Sequence, residues 1–178
     1  MRCPVKLEFF VLPEVMRRDF TEAFVLDKDD FATANPDWVR RMEDDGIGFD
    51  RWYEGAFLWD KMNIPEADFV RALSLLRARE GKVLFLSESE TSGHRGGLVV
   101  HGREVYDFVA MADPAELADC IEYEWKAPGW LCMEGKLTLP EDLYVFDTTL
   151  EWVIVFTHEF VELGEDAPQR ICMVFGLP

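Results

Sequence analysis

Histidine is the side chain best suited to proton transfer near neutral pH and to metal ligation, and this chain has three, His94, His101 and His158. His158 is preceded by Thr157 and followed by Glu159, so a hydroxyl, an imidazole and a carboxylate occupy adjacent positions. With His94, Glu88, Glu159 or Cys132 these residues could build a His/Glu or Cys/His acid–base site for a small enzyme. The spacing does not require one. The sequence has no H-E-x-x-H, no C-x-x-C and no histidine pair at helical i, i+4 spacing, and such spacings are what metal sites show. A G-x-S-x-G elbow and a dinucleotide fingerprint are also absent. The expectation is therefore no metal, no cofactor and no assigned catalytic residue. Among 35 acidic residues, no general acid and base can be paired without geometry.

The stretch Ser87 to Gly97 combines hydroxyls, glycines, Glu88, Glu90, His94 and Arg95 after a short apolar run. A phosphate cradle would need a P-loop spacing that it lacks, and its two carboxylates oppose an anion. It reads as a loop, with partner contact as the functional alternative. The run Asp27 to Asp30 resembles the start of a calcium loop. It has Phe31 in place of the third ligand, Ala32 for the glycine and Trp38 for the final Glu. That run and Glu43 to Asp45 read as solvated acidic surface.

The net charge is −17, and its distribution is uneven. Residues 1–60 carry 8 basic and 14 acidic side chains, residues 61–112 carry 7 of each, and residues 113–178 carry 3 and 14. A negative field repels phosphate backbones and anionic lipid and attracts basic proteins. Direct binding of nucleic acid or a membrane is not expected. No run approaches the roughly 20 apolar residues that span a bilayer, and the first residues do not form a secretory leader, so a cytoplasmic location is expected. The cysteines Cys3, Cys120, Cys132 and Cys172 are widely spaced, and in that compartment they read as reduced, small core hydrophobes.

The elements that must position these groups are readable from periodicity and caps. Lys6 to Leu12 reads as a strand, and Glu14 to Phe24 as a helix after Pro13. Asn35 and Pro36 start a helix that Gly46 stops. The aromatic run Phe49 to Trp59 has no clean period and reads as irregular, with a strand near Ala56. Asn63 to Pro65 starts a helix to about Glu80, with Phe69, Ala72, Leu73 and Leu76 as its apolar stripe. Lys82 to Ser87 and Leu98 to Val100 read as strands. Asp113, Pro114 and Glu116 form a capped start for a helix to about Lys126. Its polar side carries Glu116, Asp119 and Glu122. Strands are expected at Trp130 to Glu134, Leu143 to Phe146, Leu150 to Thr157 and Arg170 to Phe175, with Asp147 to Thr149 as a hairpin turn.

Together these define an α+β protein, with helices mainly in the N-terminal two-thirds and an antiparallel sheet formed largely by the C-terminal third. A length of 178 residues favours one globular domain, residues 1–178. The segment Leu143 to Asp147, with Trp152 and Thr157 to Glu159, resembles small acidic bacterial immunity-type proteins of polymorphic toxin systems. The resemblance covers about 20 residues and implies a cytoplasmic binder that blocks a basic toxin domain. The residues expected to contact such a partner are Glu116, Asp119 and Glu122 of the helix, Glu88, Glu90, His94 and Arg95 of the loop, and His158 and Glu159. A small enzyme and an acidic nucleic-acid mimic are the alternatives. The oligomeric state is not readable.

Overall fold

The structure is a computed structural model, and it describes residues 8–11, 14–88, 97–100, 103–106, 108–125, 142–161 and 169–178. Among the described residues the fold is α+β, with six α-helices between residues 14 and 125 and a seven-stranded antiparallel sheet. The contacts divide the chain into two compact units, where composition favoured one domain. One unit is Glu14–Ile64, and the other is Met1–Pro13 with Pro65–Pro178.

The first unit is helical, with α1 at Glu14–Phe24, α2 at Lys28–Ala34, α3 at Pro36–Asp44 and α4 at Phe49–Gly55. The acidic run Asp27 to Asp30 has a local use that periodicity did not show. Asp27 caps α2 by accepting the Asp30 N–H at 2.8 Å, and Asp29 and Asp30 lie in the first turn, where the helix dipole favours acids. Asn35 takes the N-cap position of α3 but makes no side-chain cap. It also ends α2, and its amide donates backwards to the Phe31 carbonyl at 3.1 Å. The strand expected near Ala56 is corrected: α4 runs to Gly55, and a 3₁₀ turn follows at Trp59–Lys61. The aromatic run lacks a period because its rings pack around a single centre. Buried Phe31 meets Trp38 edge-on at 5.4 Å and lies 6.1 Å from Phe49, 5.6 Å from Trp52 and 6.1 Å from Tyr53.

The second unit holds β1 at Glu8–Val11, β2 at Glu66–Ala67, α5 at Phe69–Arg77, β3 at Val83–Glu88 and β4 at Gly97–Val100. It continues with β5 at Arg103–Tyr106, β6 at Phe108–Ala112, α6 at Pro114–Trp125, β7 at Asp142–Phe146, β8 at Val153–Val161 and β9 at Gln169–Phe175. The order across the main sheet is β1-β6-β3-β7-β8-β9-β2, while β4 and β5 pair separately. Alternate residues Val83, Phe85, Leu143, Val145, Ile154, Phe156, Cys172 and Val174 share one core cluster with Phe69, Leu73 and Leu76 of α5 and with Leu117 and Ile121 of α6. The opposite parity, Tyr144, Phe146, Val153 and Val155, is buried as well, so β7 and β8 have two covered faces.

The helix expected from Asn63 begins later. Asp68 accepts the Arg71 N–H at 2.8 Å and caps α5 at Phe69, which releases Glu66 and Ala67 to pair with Met173 and Cys172 of β9. Asp113 caps α6 as read, accepting from the Ala115 N–H at 3.0 Å and the Glu116 N–H at 3.1 Å. The strand expected at Trp130 to Glu134 lies outside the described residues.

The turn between β7 and β8 is built on Asp147. Its carboxylate accepts the Thr149 N–H at 2.8 Å, the Thr149 hydroxyl at 2.5 Å and the Trp152 indole N–H at 2.7 Å. Burial pushes this carboxyl up, but those three donors, with Arg79 nearby, outweigh it and hold it below 3.8. A carboxyl lowered by folding stabilises the fold above its unfolded value, and that contribution is lost as pH falls through the folded value. We expect wild type to be more stable than Asp147→Asn at pH 6. The difference should shrink once the pH drops below 3.8. Urea midpoints of the two proteins, taken in steps of about one pH unit between about pH 2.5 and 6, check this.

Candidate functional site

The sheet brings several of the sequence-nominated groups to one end. Glu88, the last residue of β3, lies in register with Asp142, the first of β7. Leu143 pairs with Phe156 on β8, whose pairing with β9 shifts between Phe156 and Phe160. Such an irregularity re-aims side chains, and here both the backbone and the ring of His158 reach Asp142. The Asp142 carboxylate accepts the His158 N–H at 2.7 Å and lies 3.0 and 3.1 Å from Nδ1. Asp142 is fully buried, while the His158 side chain is 22% exposed. The His158 Nε2 lies 3.7 Å from Glu159 Oε1. Below it, Arg170, itself buried, donates from Nη1 to the Thr157 carbonyl at 2.6 Å, and the Thr157 hydroxyl donates to the Ile171 carbonyl at 2.9 Å.

The chemistry of this pair follows from its orientation. A buried carboxylate against Nδ1 makes that nitrogen the proton donor and leaves Nε2 as the acceptor nitrogen. His158 and Glu159 are thus brought together as the sequence proposed, and Asp142 is the member it missed. The signal was available: extending the hairpin register back from the Asp147 turn places residue 142 opposite Thr157. Glu90, His94 and Arg95 of the loop, together with His101 and Cys132, lie outside the described residues. Among the described residues no group of three or more His, Cys, Asp or Glu side chains is placed to hold a metal ion.

The acidic side of α6 is partly neutralised from within. Arg77 of α5 donates to Asp119 from Nε at 3.1 Å and Nη2 at 2.8 Å, and it also pairs with Glu122. Hydrogen bonds donated to Asp119 and then to Glu122 hold the guanidinium pKa above its usual value. Glu116 stays exposed in the first turn of α6. The pairing is half open to water, so it contributes little to stability. It does lower the charge this face presents.

The helical unit carries acids that are not neutralised. Glu43, Asp44 and Asp45 lie at the C-terminal end of α3, where the helix dipole disfavours negative charge. None of the three makes an ion pair with a described residue. The chain turns there in a Schellman motif: Gly46, at φ +79°, donates to the Glu43 carbonyl at 3.0 Å, and Ile47 donates to the Met42 carbonyl at 2.8 Å. Ile47 is left 47% exposed, and the part-buried rings of Phe49, Trp52 and Trp38 follow.

The cysteines depart from the expected set of reduced thiols at one described position. Cys120, on the core side of α6, is disulfide-bonded, and its partner lies outside the described residues. Cys172 is free and buried on β9, and burial pushes its thiol up to about 12. A thiol protonated at neutral pH and closed to solvent does not alkylate. Native protein at about pH 8 is therefore expected to leave Cys172 unlabelled by iodoacetamide, with labelling only after unfolding. Peptide mass mapping reads the outcome.

Among the described residues no helix is long and apolar enough to cross a membrane. Comparison with known protein families, curated proteins and solved structures finds no match.

Proposed function

We propose that this chain is a protein-binding inhibitor of the immunity type, which neutralises a basic bacterial toxin domain by direct binding. The observation that carries this reading is the placement of acids where they do not serve the fold. Glu43, Asp44 and Asp45 oppose their own helix dipole and are exposed without ion pairs, and local conflicts of that kind concentrate at binding sites. The net charge of −17 supplies long-range attraction to a basic partner, and the exposed Ile47 beside part-buried rings supplies apolar contact. The test is co-expression: cells producing a basic toxin domain that this chain binds should stop growing and should recover when this chain is present. Growth arrest that persists at full expression of the chain counts against inhibition. The cytoplasmic location is part of the same reading. The Cys120 disulfide gives a check on it, because cytosolic thiols are kept reduced: trapping thiols in intact cells should find Cys120 reduced if the chain works there.

A second reading, a small enzyme, draws on one observation, the buried Asp142 that orients His158 with Nε2 directed away from it. In that reading His158 is the general base and Asp142 positions it. His158→Gln would then abolish turnover while leaving binding to a basic partner unchanged.

A further inference from the structure

Neighbouring residues of a regular strand point to opposite faces of the sheet, so adjacent side chains such as His158 and Glu159 of β8 ordinarily share no ligand. The register shift between Phe156 and Phe160 changes that. It leaves His158 Nε2 and Glu159 Oε1 3.7 Å apart, with the imidazole 22% and the carboxylate 50% exposed. On the other side of the ring, fully buried Asp142 lies 3.0 and 3.1 Å from Nδ1 and accepts the His158 backbone N–H at 2.7 Å. One nitrogen of the imidazole is thus held by a carboxylate closed to solvent, and the other lies beside a carboxylate open to it.

We infer that His158 Nε2 and Glu159 Oε1 chelate a divalent transition-metal ion of the zinc class, with Asp142 positioning the ligating ring. The spacing fits. Zinc bonds imidazole nitrogen at about 2.0–2.1 Å and carboxylate oxygen at about 2.0–2.2 Å, so two donors on a tetrahedral ion stand about 3.4 Å apart. The half-exposed Glu159 side chain closes the remaining difference by a small rotation. A carboxylate on the far nitrogen is the usual outer partner of a metal-bound histidine, because it fixes the tautomer and raises the basicity of the ligating nitrogen. Two protein donors are fewer than a catalytic or a structural zinc site uses, in keeping with the absence of a larger ligand cluster among the described residues. Water completes the shell, and the ion is exchangeable. The imidazole favours zinc-class ions over magnesium and calcium, which take oxygen ligands, and the net charge of −17 concentrates divalent cations near the surface. The inference goes beyond both readings above: an ion on Nε2 occupies the lone pair that a general base would use, and capture of a basic partner does not depend on it.

The full chain is titrated with zinc chloride by calorimetry near neutral pH, and its histidine rings are followed in long-range proton–nitrogen NMR spectra. The expected result is saturable binding in which the His158 Nε2 resonance shifts while Nδ1 keeps its proton. Glu159→Gln, at an exposed position, should weaken zinc binding by about tenfold or more, and His158→Gln should lose at least as much. Asp142→Asn separates positioning from bracing. Its amide donates to Nδ1 and moves the ring proton onto Nε2, so a loss of about tenfold to a hundredfold in affinity is expected. A carboxylate that only braced the sheet would change stability and leave zinc affinity alone, and that outcome would overturn the positioning role. If His158→Gln does not fold, Glu159→Gln and the spectra of the unaltered protein decide the matter. A charge control, Glu43→Gln/Asp44→Asn/Asp45→Asn, should bind zinc as the unaltered protein does. Equal losses in this control and in Glu159→Gln would overturn the site in favour of diffuse attraction to acids. A zinc shift confined to other histidine rings, or the absence of saturable binding, would overturn it as well. Displacement of zinc by an equal concentration of magnesium would overturn the choice of ion. Each of these failures leaves the basic-partner reading standing.

Discussion

Replacing His158 by alanine is expected to destabilise the protein by about 3 kcal/mol, because it strips the ring partner from a carboxylate that has no access to water. Asp142 is 0% exposed and accepts both the ring and the backbone N–H of His158. The alanine variant keeps only the backbone donor of that pair. Asp142→Asn should cost less: its amide oxygen still accepts the backbone N–H, its NH₂ can face an imidazole in the other tautomer, and no buried charge remains. Urea unfolding of the two variants ranks them. If His158→Ala is as stable as wild type, the pair is not holding the end of the sheet. A loss of this size in a chain of 178 residues lowers the thermal midpoint by roughly 6 to 12 °C.

The second large effect is at Gly176, where the chain leaves β9. A Cβ there would fall 2.0 Å from the Glu151 carbonyl oxygen and 3.0 Å from the Trp152 Cα, at a φ of +72°. The obstruction is backbone, so it cannot swing aside, and the left-handed conformation adds its own penalty. Gly176→Ala is expected to cost about 2 to 5 kcal/mol, combining overpacking with backbone strain. Gly81 supplies the control. It has nearly the same φ, +79°, with nothing within 4 Å of the added carbon. Gly81→Ala should therefore show the backbone term alone, about 1 kcal/mol. Equal costs at the two glycines would mean that the approach of Glu151 to Gly176 is not a constraint.

Where a single residue fixes a local outcome, the fold was legible. Asp113 with Pro114 started α6, Asp147 set the β7–β8 turn, and the stripe of Phe69, Ala72, Leu73 and Leu76 marked the buried face of α5. Where two local signals competed, the sequence misled. Asn63 with Pro65 outranked Asp68 as a helix start on composition, yet pairing of Glu66 with Met173 on β9 decides the matter, and that partner is over a hundred residues away. The strands Arg103–Tyr106 and Phe108–Ala112 have no counterpart among the expected elements, although Val105 to Val109 has the branched and aromatic content of a sheet. Periodicity could not find the packing of Trp38, Phe49 and Trp52 around Phe31, because those contacts join three short helices.

Of the candidate site, His158 and Glu159 were visible as types, and Asp142 was hidden among the 35 acids. Its burial, not its sequence neighbours, sets it apart. The acids of α6 show the reverse. Glu116, Asp119 and Glu122 are visible as one face, but Arg77 is 42 residues from Asp119 in sequence, and its pairing takes two of the three. The less conspicuous acids at the end of α3 make no ion pair with a described residue.

The central claim is that this chain binds a basic toxin domain and that its acidity drives the encounter. Stopped-flow mixing of the purified chain with the purified toxin domain whose growth arrest it relieves, at low and at physiological salt, measures this directly. The account predicts an equimolar complex whose association rate falls by about tenfold or more between the two salts while its dissociation rate changes little. The absence of a complex, or an association rate indifferent to salt, would contradict it.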